Sequence, residues 1–208
     1  GVSLVQGLVL AALAPGLNGL IRKVKARFQR RAGPPLVQGY RDLAKLLLKE
    51  TVHAKATSPI FRLAPAVCLG TAAVAAATFP CVAGLPVSAP GDVLTGIYLL
   101  GLGRFFVALA GLDAGSAFGG LGSSRDMAIS ALAEPTAIVA VLVVAAGAGQ
   151  PTDGAALASG GAASLVAPWR LLAAAAFFMV VLAECARVPV DNPATHLELT
   201  MVHEAMLL

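Results

Sequence analysis

The fold is decided by the stretch Met127–Ala148, which reads MAISALAEPTAIVAVLVVAAGA and carries one ionisable side chain, Glu134. A helix needs about 20 predominantly apolar residues to cross a bilayer, and this stretch meets that requirement. Comparable apolar runs occur at Val2–Leu20, Leu63–Val82, Val93–Leu112 and Trp169–Ala186. The sequence therefore predicts an all-α, polytopic membrane helical bundle with about five transmembrane helices.

The two ends of the chain and one proline refine this prediction. The first apolar run contains Pro15 and Gly16, which we expect to kink the helix or to break its last turn. The chain starts at Gly1 and stops at Leu208 within a predicted helix. We therefore expect residues 1–208 to be a single transmembrane domain that is truncated at both ends.

Composition and charge exclude several classes of protein. Hydrophobic residues make up 58% of the chain and charged residues 12%, unlike a soluble domain. Eleven of the fifteen Lys and Arg residues lie between Arg22 and Arg62, which predicts a cytoplasmic loop at 21–62 and an external amino terminus. A nucleic-acid-binding role is disfavoured in so apolar a chain. The three cysteines are far apart, so we expect no disulfide, zinc or iron–sulfur site.

The remaining loops agree with this topology. The predicted external loops 81–92 and 149–168 contain no Lys or Arg. The predicted cytoplasmic loop 113–126 and the tail after Arg187 carry Arg125 and Arg187 at their edges. The Lys and Arg residues of the predicted loops therefore lie on the cytoplasmic side.

An amphipathic helix is predicted over Leu36–Glu50, after Gly33-Pro34-Pro35. Apolar and polar side chains fall on opposite stripes of this segment. It can be a lipid-surface anchor or a docking ledge for a soluble partner, and both interpretations remain open. The cations expected to face such a partner are Arg27, Arg30, Arg31, Arg41, Lys45 and Lys49.

Three ionisable residues stand out inside the predicted spans: Arg104, Glu134 and Glu184. Such residues are costly in hydrocarbon and usually face a bundle interior, a partner or a water-filled path. Arg104 and Glu134 are predicted at similar depth, so a structural ion pair between them is one interpretation. The other is that Glu134 and Glu184 carry protons, because burial disfavours the charged form of a carboxylate.

A cluster of acids follows the fifth predicted span, in the cytoplasmic segment 187–204. Between Glu184 and Glu204 the chain carries four acidic residues and two histidines, His196 and His203, which are seven apart and would share a helix face. A metal site is disfavoured, because His203-Glu204 lacks the second histidine of the H-E-x-x-H pattern. The simple alternative is a solvated acidic loop with helix-capping roles.

The motifs resemble one superfamily of membrane subunits. The pattern E-x-x-R-x-P-x-D-x-P at Glu184–Pro193 resembles the loop beside the quinone chamber in the membrane subunit of respiratory complex I. The continuation Asp191–Met206 is more similar to the related subunit of formate hydrogenlyase and other energy-converting membrane-bound nickel–iron hydrogenases. Two further stretches agree, Gly33–Glu50 and Gly122–Asp126 with Glu134-Pro135.

The resemblance implies a non-catalytic subunit of an oxidoreductase complex in a bacterial or archaeal cytoplasmic (inner) membrane. It implies no cofactor in this chain, with the nickel–iron centre and iron–sulfur clusters in partner subunits. The implied partners, besides the bilayer, are hydrogenase large and small subunits, an iron–sulfur subunit and antiporter-like membrane subunits. The expected proton-coupling groups are Glu134, Glu184, Asp191, Glu198 and Glu204, with electrostatic or structural support from Arg104, Arg125, Arg187, His196 and His203.

Two alternatives remain at this point. Within the superfamily, the chain could be the quinone-site subunit of complex I, with the first span and the amphipathic helix framing a quinone entrance. In another class, it could be a stand-alone ion or solute transporter that uses Arg104 and Glu134. A transporter would predict an inverted internal repeat, which the sequence does not display.

Overall fold

The computed structural model describes residues 2–49, 57–78, 92–149, 167–187 and 190. These ranges contain six α-helices and no β-strand. The helices are α1 (Val2–Phe28), α2 (Gln38–Leu47), α3 (Pro59–Thr78), α4 (Val93–Asp113), α5 (Ala117–Ala148) and α6 (Pro168–Glu184).

Four of the described helices contain segments that are long and apolar enough to cross a membrane: α1, α3, α4 and α5. The fifth predicted span corresponds to α6, whose 17 residues lie at the lower end of the length range of spanning helices. The prediction of a polytopic helical membrane protein is confirmed. Contacts along the chain define two compact units, residues 1–53 and residues 54–208.

In the first unit, α1 is longer than predicted. It continues through Pro15 and past Leu20 to Phe28, so the expected break near Pro15 and Gly16 is wrong. A proline removes one backbone donor from the helix. Ending the helix at Pro15 would leave more backbone groups unpaired in apolar surroundings, which costs more free energy, so the helix continues. It ends where Arg30 adopts a positive φ of 53° and the Arg31 amide donates to the Ala26 carbonyl at 2.8 Å, as in a Schellman motif.

The predicted amphipathic helix is present as α2, and it packs on α1. Gly39 makes this approach possible, because a Cβ atom there would lie 2.9 Å from the Pro15 carbonyl oxygen. The Tyr40 hydroxyl donates to the Ala12 carbonyl oxygen of α1 at 2.6 Å. No residue of α2 is fully buried, so most of its surface remains open to lipid or to a partner.

In the second unit, consecutive helices pack against each other: α3 on α4, α4 on α5, and α5 on α6. Gly103 lets α3 approach α4, since a Cβ atom at this position would lie 2.6 Å from Thr71 Oγ1. At the end of α4, the Asp113 carboxylate accepts a hydrogen bond from the Ser58 amide at 2.7 Å. That contact satisfies a backbone donor that precedes α3, where the helix itself supplies no acceptor.

Helix α5 begins ten residues before the predicted fourth span, at Ala117 rather than Met127. The predicted cytoplasmic loop 113–126 is therefore wrong in extent, and Arg125 and Asp126 lie inside a helix. Ser116 caps this helix by accepting a hydrogen bond from the Gly119 amide at 2.9 Å. The glycine-rich sequence that suggests a loop instead allows close packing, because a Cβ atom on Gly119 would collide with the Gly111 carbonyl oxygen.

The α4–α5 interface follows one stripe of each helix, running in opposite directions. Its residues on α4 recur at three- and four-residue intervals, as expected for one helix face. The facing pairs are Gly101 with Glu134, Arg104 with Ser130, Ala108 with Ser123, and Gly111 with Gly119. This stripe brings Arg104, Ser130 and Glu134 to the interface between the two helices.

Small side chains form the buried part of the second unit. A core cluster of Ala133, Ala137 and Val180 joins α5 to α6. Large apolar side chains are instead exposed on the outside, for example Leu69 at 74% and Leu132 at 76%. Small residues inside and large apolar residues outside are typical of helices that pack in lipid.

Candidate proton-coupling site

Arg104 is the centre of the polar cluster. Its Nη1 donates to Glu184 Oε1 at 2.6 Å and to Ser130 Oγ at 2.9 Å. Its Nη2 donates to the Glu184 carbonyl oxygen at 3.1 Å, and its Nε lies 3.7 Å from Asp126 Oδ2. One guanidinium therefore ties together α4, α5 and α6.

The positions of these groups follow from helical spacing. Asp126, Ser130 and Glu134 are four residues apart along α5 and share its α4-facing side. Arg104 lies near the middle of α4, and Glu184 is the last residue of α6. The cluster thus forms where the amino-terminal half of α5 meets the carboxyl end of α6.

Burial makes the cluster strongly electrostatic. The side chains of Arg104 and Asp126 are 11% and 5% exposed, whereas that of Glu184 is 36% exposed. Asp126 and Arg104 therefore interact in weakly screened surroundings, and Glu184 is the carboxylate with access to the outside of this chain.

Glu134 borders the cluster without joining its ion pairs. It lines a cavity of about 280 Å³ together with Arg104, Ser130 and Gly101. Its carboxylate lies directly against α4 at Gly101. Tyr98 and Phe105, which also line the cavity, are exposed, so this cavity is open to the surroundings of the chain.

The ion pair suggested by depth, between Arg104 and Glu134, is not formed. Among the described residues Arg104 pairs with Asp126 and Glu184. The guanidinium reaches across Ser130 to the end of α6, while the Glu134 carboxylate lies one helical turn away, at Gly101.

Asp126 and Ser130 contact Arg104 but are not among the site residues that the sequence predicts. The sequence places Asp126 in a loop, because the glycines before it obscure the start of α5. The four-residue spacing of Asp126, Ser130 and Glu134 could have identified them. It places the three residues on one helical face if the helix begins before Asp126. Arg170 was also overlooked as an ionisable residue of the fifth span; its guanidinium carbon lies 5.2 Å from the centre of the Trp169 ring, in the first turn of α6.

Other predicted site residues fall in different places. Asp191, Glu198, Glu204, His196 and His203 lie outside the described residues. Arg125 is half-buried on α5, and Arg187 is exposed just beyond α6. The six predicted docking cations, Arg27, Arg30, Arg31, Arg41, Lys45 and Lys49, are all exposed. In the described ranges, no three His, Cys, Asp or Glu side chains are grouped to hold a metal ion.

Comparisons with known proteins agree on one family. The family model described as NADH dehydrogenase matches residues 2–204. The chain is 42% identical over 147 residues to formate hydrogenlyase subunit 4 of Escherichia coli strain K12, covering 70% of this chain and 48% of that protein. It is 40% identical over 144 residues to hydrogenase-4 component C of the same strain, covering 69% and 46%. The chain thus spans about half the length of these curated relatives.

A solved structure shares the fold. A chain of the membrane-bound sulfane sulfur reductase, an archaeal respiratory membrane complex, is 24% identical and superposes with a TM-score of 0.75. The match covers 100% of this chain and 73% of that chain.

Proposed function

This chain belongs to the NADH dehydrogenase family, and on that premise we propose that it is the membrane-anchoring and proton-coupling subunit of a complex-I-like hydrogenase. The complex is of the formate hydrogenlyase type, and this subunit holds no redox centre. It docks the soluble hydrogenase arm and links its redox chemistry to ion translocation. Homology to the membrane subunits of formate hydrogenlyase and hydrogenase-4 favours this branch.

The observation that carries the proposal is the shared guanidinium of Arg104. Charged groups inside a span are costly, so a cluster of them in an apolar bundle indicates a proton or ion path. Arg104 supplies one positive charge to Asp126 and Glu184, and Glu134 lines the adjoining cavity. Three carboxyl groups thus lie around one guanidinium, so a change in the charge of a neighbouring redox partner would be felt by all of them.

The proposed path continues on the cytoplasmic side. Asp191, Glu198 and Glu204 would receive protons beyond Glu184, with Arg187 and the histidines His196 and His203 adjusting their charge. Arg125 would support the path from α5. Glu184, Arg187 and Asp191 all belong to the family motif at Glu184–Pro193, which supports their part in the path.

Docking of the soluble arm is assigned to the first unit. Its cations are exposed and concentrated between Arg22 and Lys49, so they attract a partner surface of opposite charge. The partners would be hydrogenase large and small subunits and an iron–sulfur subunit, which carry the nickel–iron centre and the clusters. Antiporter-like subunits would lie beside this chain in the cytoplasmic membrane of a bacterium or archaeon, with the amino terminus outside by the charge rule.

Purification of the tagged full-length protein from its own membrane tests this function. We expect hydrogenase and iron–sulfur subunits to co-purify and the preparation to evolve hydrogen. Replacing Arg27, Arg30 and Arg31 together by Glu should release the soluble subunits, whereas replacing the same three by Lys should retain them. A preparation without any hydrogenase or iron–sulfur subunit would contradict the proposal.

The alternative, the quinone-site subunit of complex I, is not favoured, because the chain is 42% identical to formate hydrogenlyase subunit 4 but 32% identical to NADH-ubiquinone oxidoreductase chain 1 of Mycosarcoma maydis. The same purification separates the two candidates. Recovery of quinone-linked partners and quinone reduction, in place of hydrogen evolution, would support the second.

A further inference from the structure

Gly101 of α4 is in unusually close contact with a carboxylate. A Cβ atom at this position would lie 2.9 Å from Glu134 Oε1 and 3.1 Å from its Cδ. Real Cβ atoms essentially never approach other heavy atoms to less than 3.0 Å. Any other residue at position 101 therefore requires the Glu134 carboxylate to move.

The contact between Gly101 and Glu134 lies beside the Arg104 cluster. Gly101 and Arg104 lie one turn apart on α4, and Glu134 and Ser130 lie one turn apart on α5. All four residues line the cavity of about 280 Å³. The space left by the missing side chain of Gly101 is thus occupied by a carboxylate that faces the same cavity as the Arg104 guanidinium.

We propose that Gly101 is a positioning residue: because it has no side chain, it leaves the space in which the Glu134 carboxylate packs against α4, beside the Arg104 cluster. The inference rests on the proposed function insofar as Glu134 is a coupling group. The contact itself does not depend on that function. Gly101 acts through Glu134 and takes no proton itself.

Replacing Gly101 by alanine would displace the Glu134 side chain rather than the backbone of α5. The atoms that an alanine Cβ would meet are the far end of a flexible side chain, so the two helices need not separate. Alanine also has a higher helix propensity than glycine. Gly101→Ala is therefore expected to leave the complex assembled and to move the Glu134 carboxylate.

The test uses the full-length subunit in its membrane complex. Redox-induced infrared difference spectra would identify the Glu134 carboxyl band by its loss in Glu134→Gln. We expect Gly101→Ala to shift this band and to lower proton translocation per hydrogen several-fold. Gly70→Ala is the matched control, because nothing lies within 4 Å of a Cβ atom at that helical position; it should change neither quantity.

A shorter acid provides the rescue. Asp is one methylene shorter than Glu, so Glu134→Asp makes room for the added methyl group. We expect Gly101→Ala with Glu134→Asp to translocate more protons than the two single variants predict together, as residues in contact show. Additive losses in this pair would overturn the inference, and so would an unshifted band in Gly101→Ala. A shifted band with normal translocation in Glu134→Gln would support the contact and contradict the coupling role of Glu134.

Discussion

Arg104 holds Glu184 at two points, although the residues are eighty positions apart in the chain. One amino group binds the carboxylate at 2.6 Å, and the other binds the backbone carbonyl oxygen of the same residue at 3.1 Å. That carbonyl belongs to the last turn of α6, where no amide of the helix is available to it. The same guanidinium therefore balances a charge and caps a helix.

Replacing Arg104 separates these two effects. Arg104→Met leaves Asp126 and Glu184 without their cation and should destabilise the complex by about 3 kcal/mol, since breaking a buried ion pair from one side is costly. Arg104→Lys keeps the charge but loses the forked hydrogen bonds, at about 1 kcal/mol. Thermal unfolding in detergent measures both.

The control for Arg104 is an exposed arginine on α3. Arg62→Met should change the unfolding free energy by less than about 0.5 kcal/mol, as surface substitutions usually do. Equal changes in the unfolding free energy for Arg104→Met and Arg62→Met would contradict a structural role of the Arg104 cluster.

Two serines on α5 offer a paired test of the hydrogen bond to Arg104. The buried Ser130 hydroxyl accepts from Arg104, whereas the exposed Ser124 hydroxyl donates to the Leu121 carbonyl of its own helix. Ser130→Ala should cost about 1–2 kcal/mol, because a charged donor loses a partner. Ser124→Ala should be near neutral in the same unfolding measurement. The reverse order would contradict the assigned geometry.

The architecture was largely predictable from the sequence, and α5 shows why its details were not. Apolar runs of spanning length predict membrane helices whatever they pack against. The start of α5 depends instead on Gly119 meeting Gly111, a contact between helices that no local pattern contains. The apolar pattern starts at Met127, so it leaves Asp126 outside the predicted helix and outside the predicted site.

Neighbouring glycines on α5 test the close packing directly. A Cβ atom on Gly119 would collide with the backbone of Gly111, which cannot yield as a side chain can, while nothing lies within 4 Å of a Cβ atom on Gly120. Gly119→Ala should destabilise the protein by about 1–3 kcal/mol. Gly120→Ala should stabilise it by about 0.4–1 kcal/mol, through the unfolded state. If both substitutions stabilise equally, the α4–α5 contact is not as described.

The hydrogen bond from Tyr40 to Ala12 should control the order of the amphipathic helix. Tyr40→Phe removes this bond at a cost of about 1 kcal/mol, so the backbone amides of α2 should exchange with deuterium faster. Tyr98→Phe on α4 is the comparison and should leave exchange in α2 unchanged. Unchanged exchange in Tyr40→Phe would show that glycine-mediated packing alone holds α2.

The candidate site was predictable in type but only partly in partners. Arg104, Glu134 and Glu184 can be identified from the sequence alone as ionisable residues in apolar spans. Such residues are costly to bury, and they usually have a functional role. Which acid pairs with Arg104 depends on side-chain reach between three helices. The end of α6 lies within reach of the guanidinium, and the Glu134 carboxylate lies at Gly101 instead.

Proton translocation measured together with hydrogen production, in vesicles containing the full complex, tests the coupling role most directly. Glu134→Gln and Glu184→Gln keep side-chain size and remove the titrating carboxyl group; Asp113→Asn is the matched control, because its amide oxygen can still accept from Ser58. We predict that hydrogen production continues in both glutamine variants while proton translocation is lost, and that the control retains both. Normal translocation in both glutamine variants, with normal assembly, would contradict the proposed coupling site.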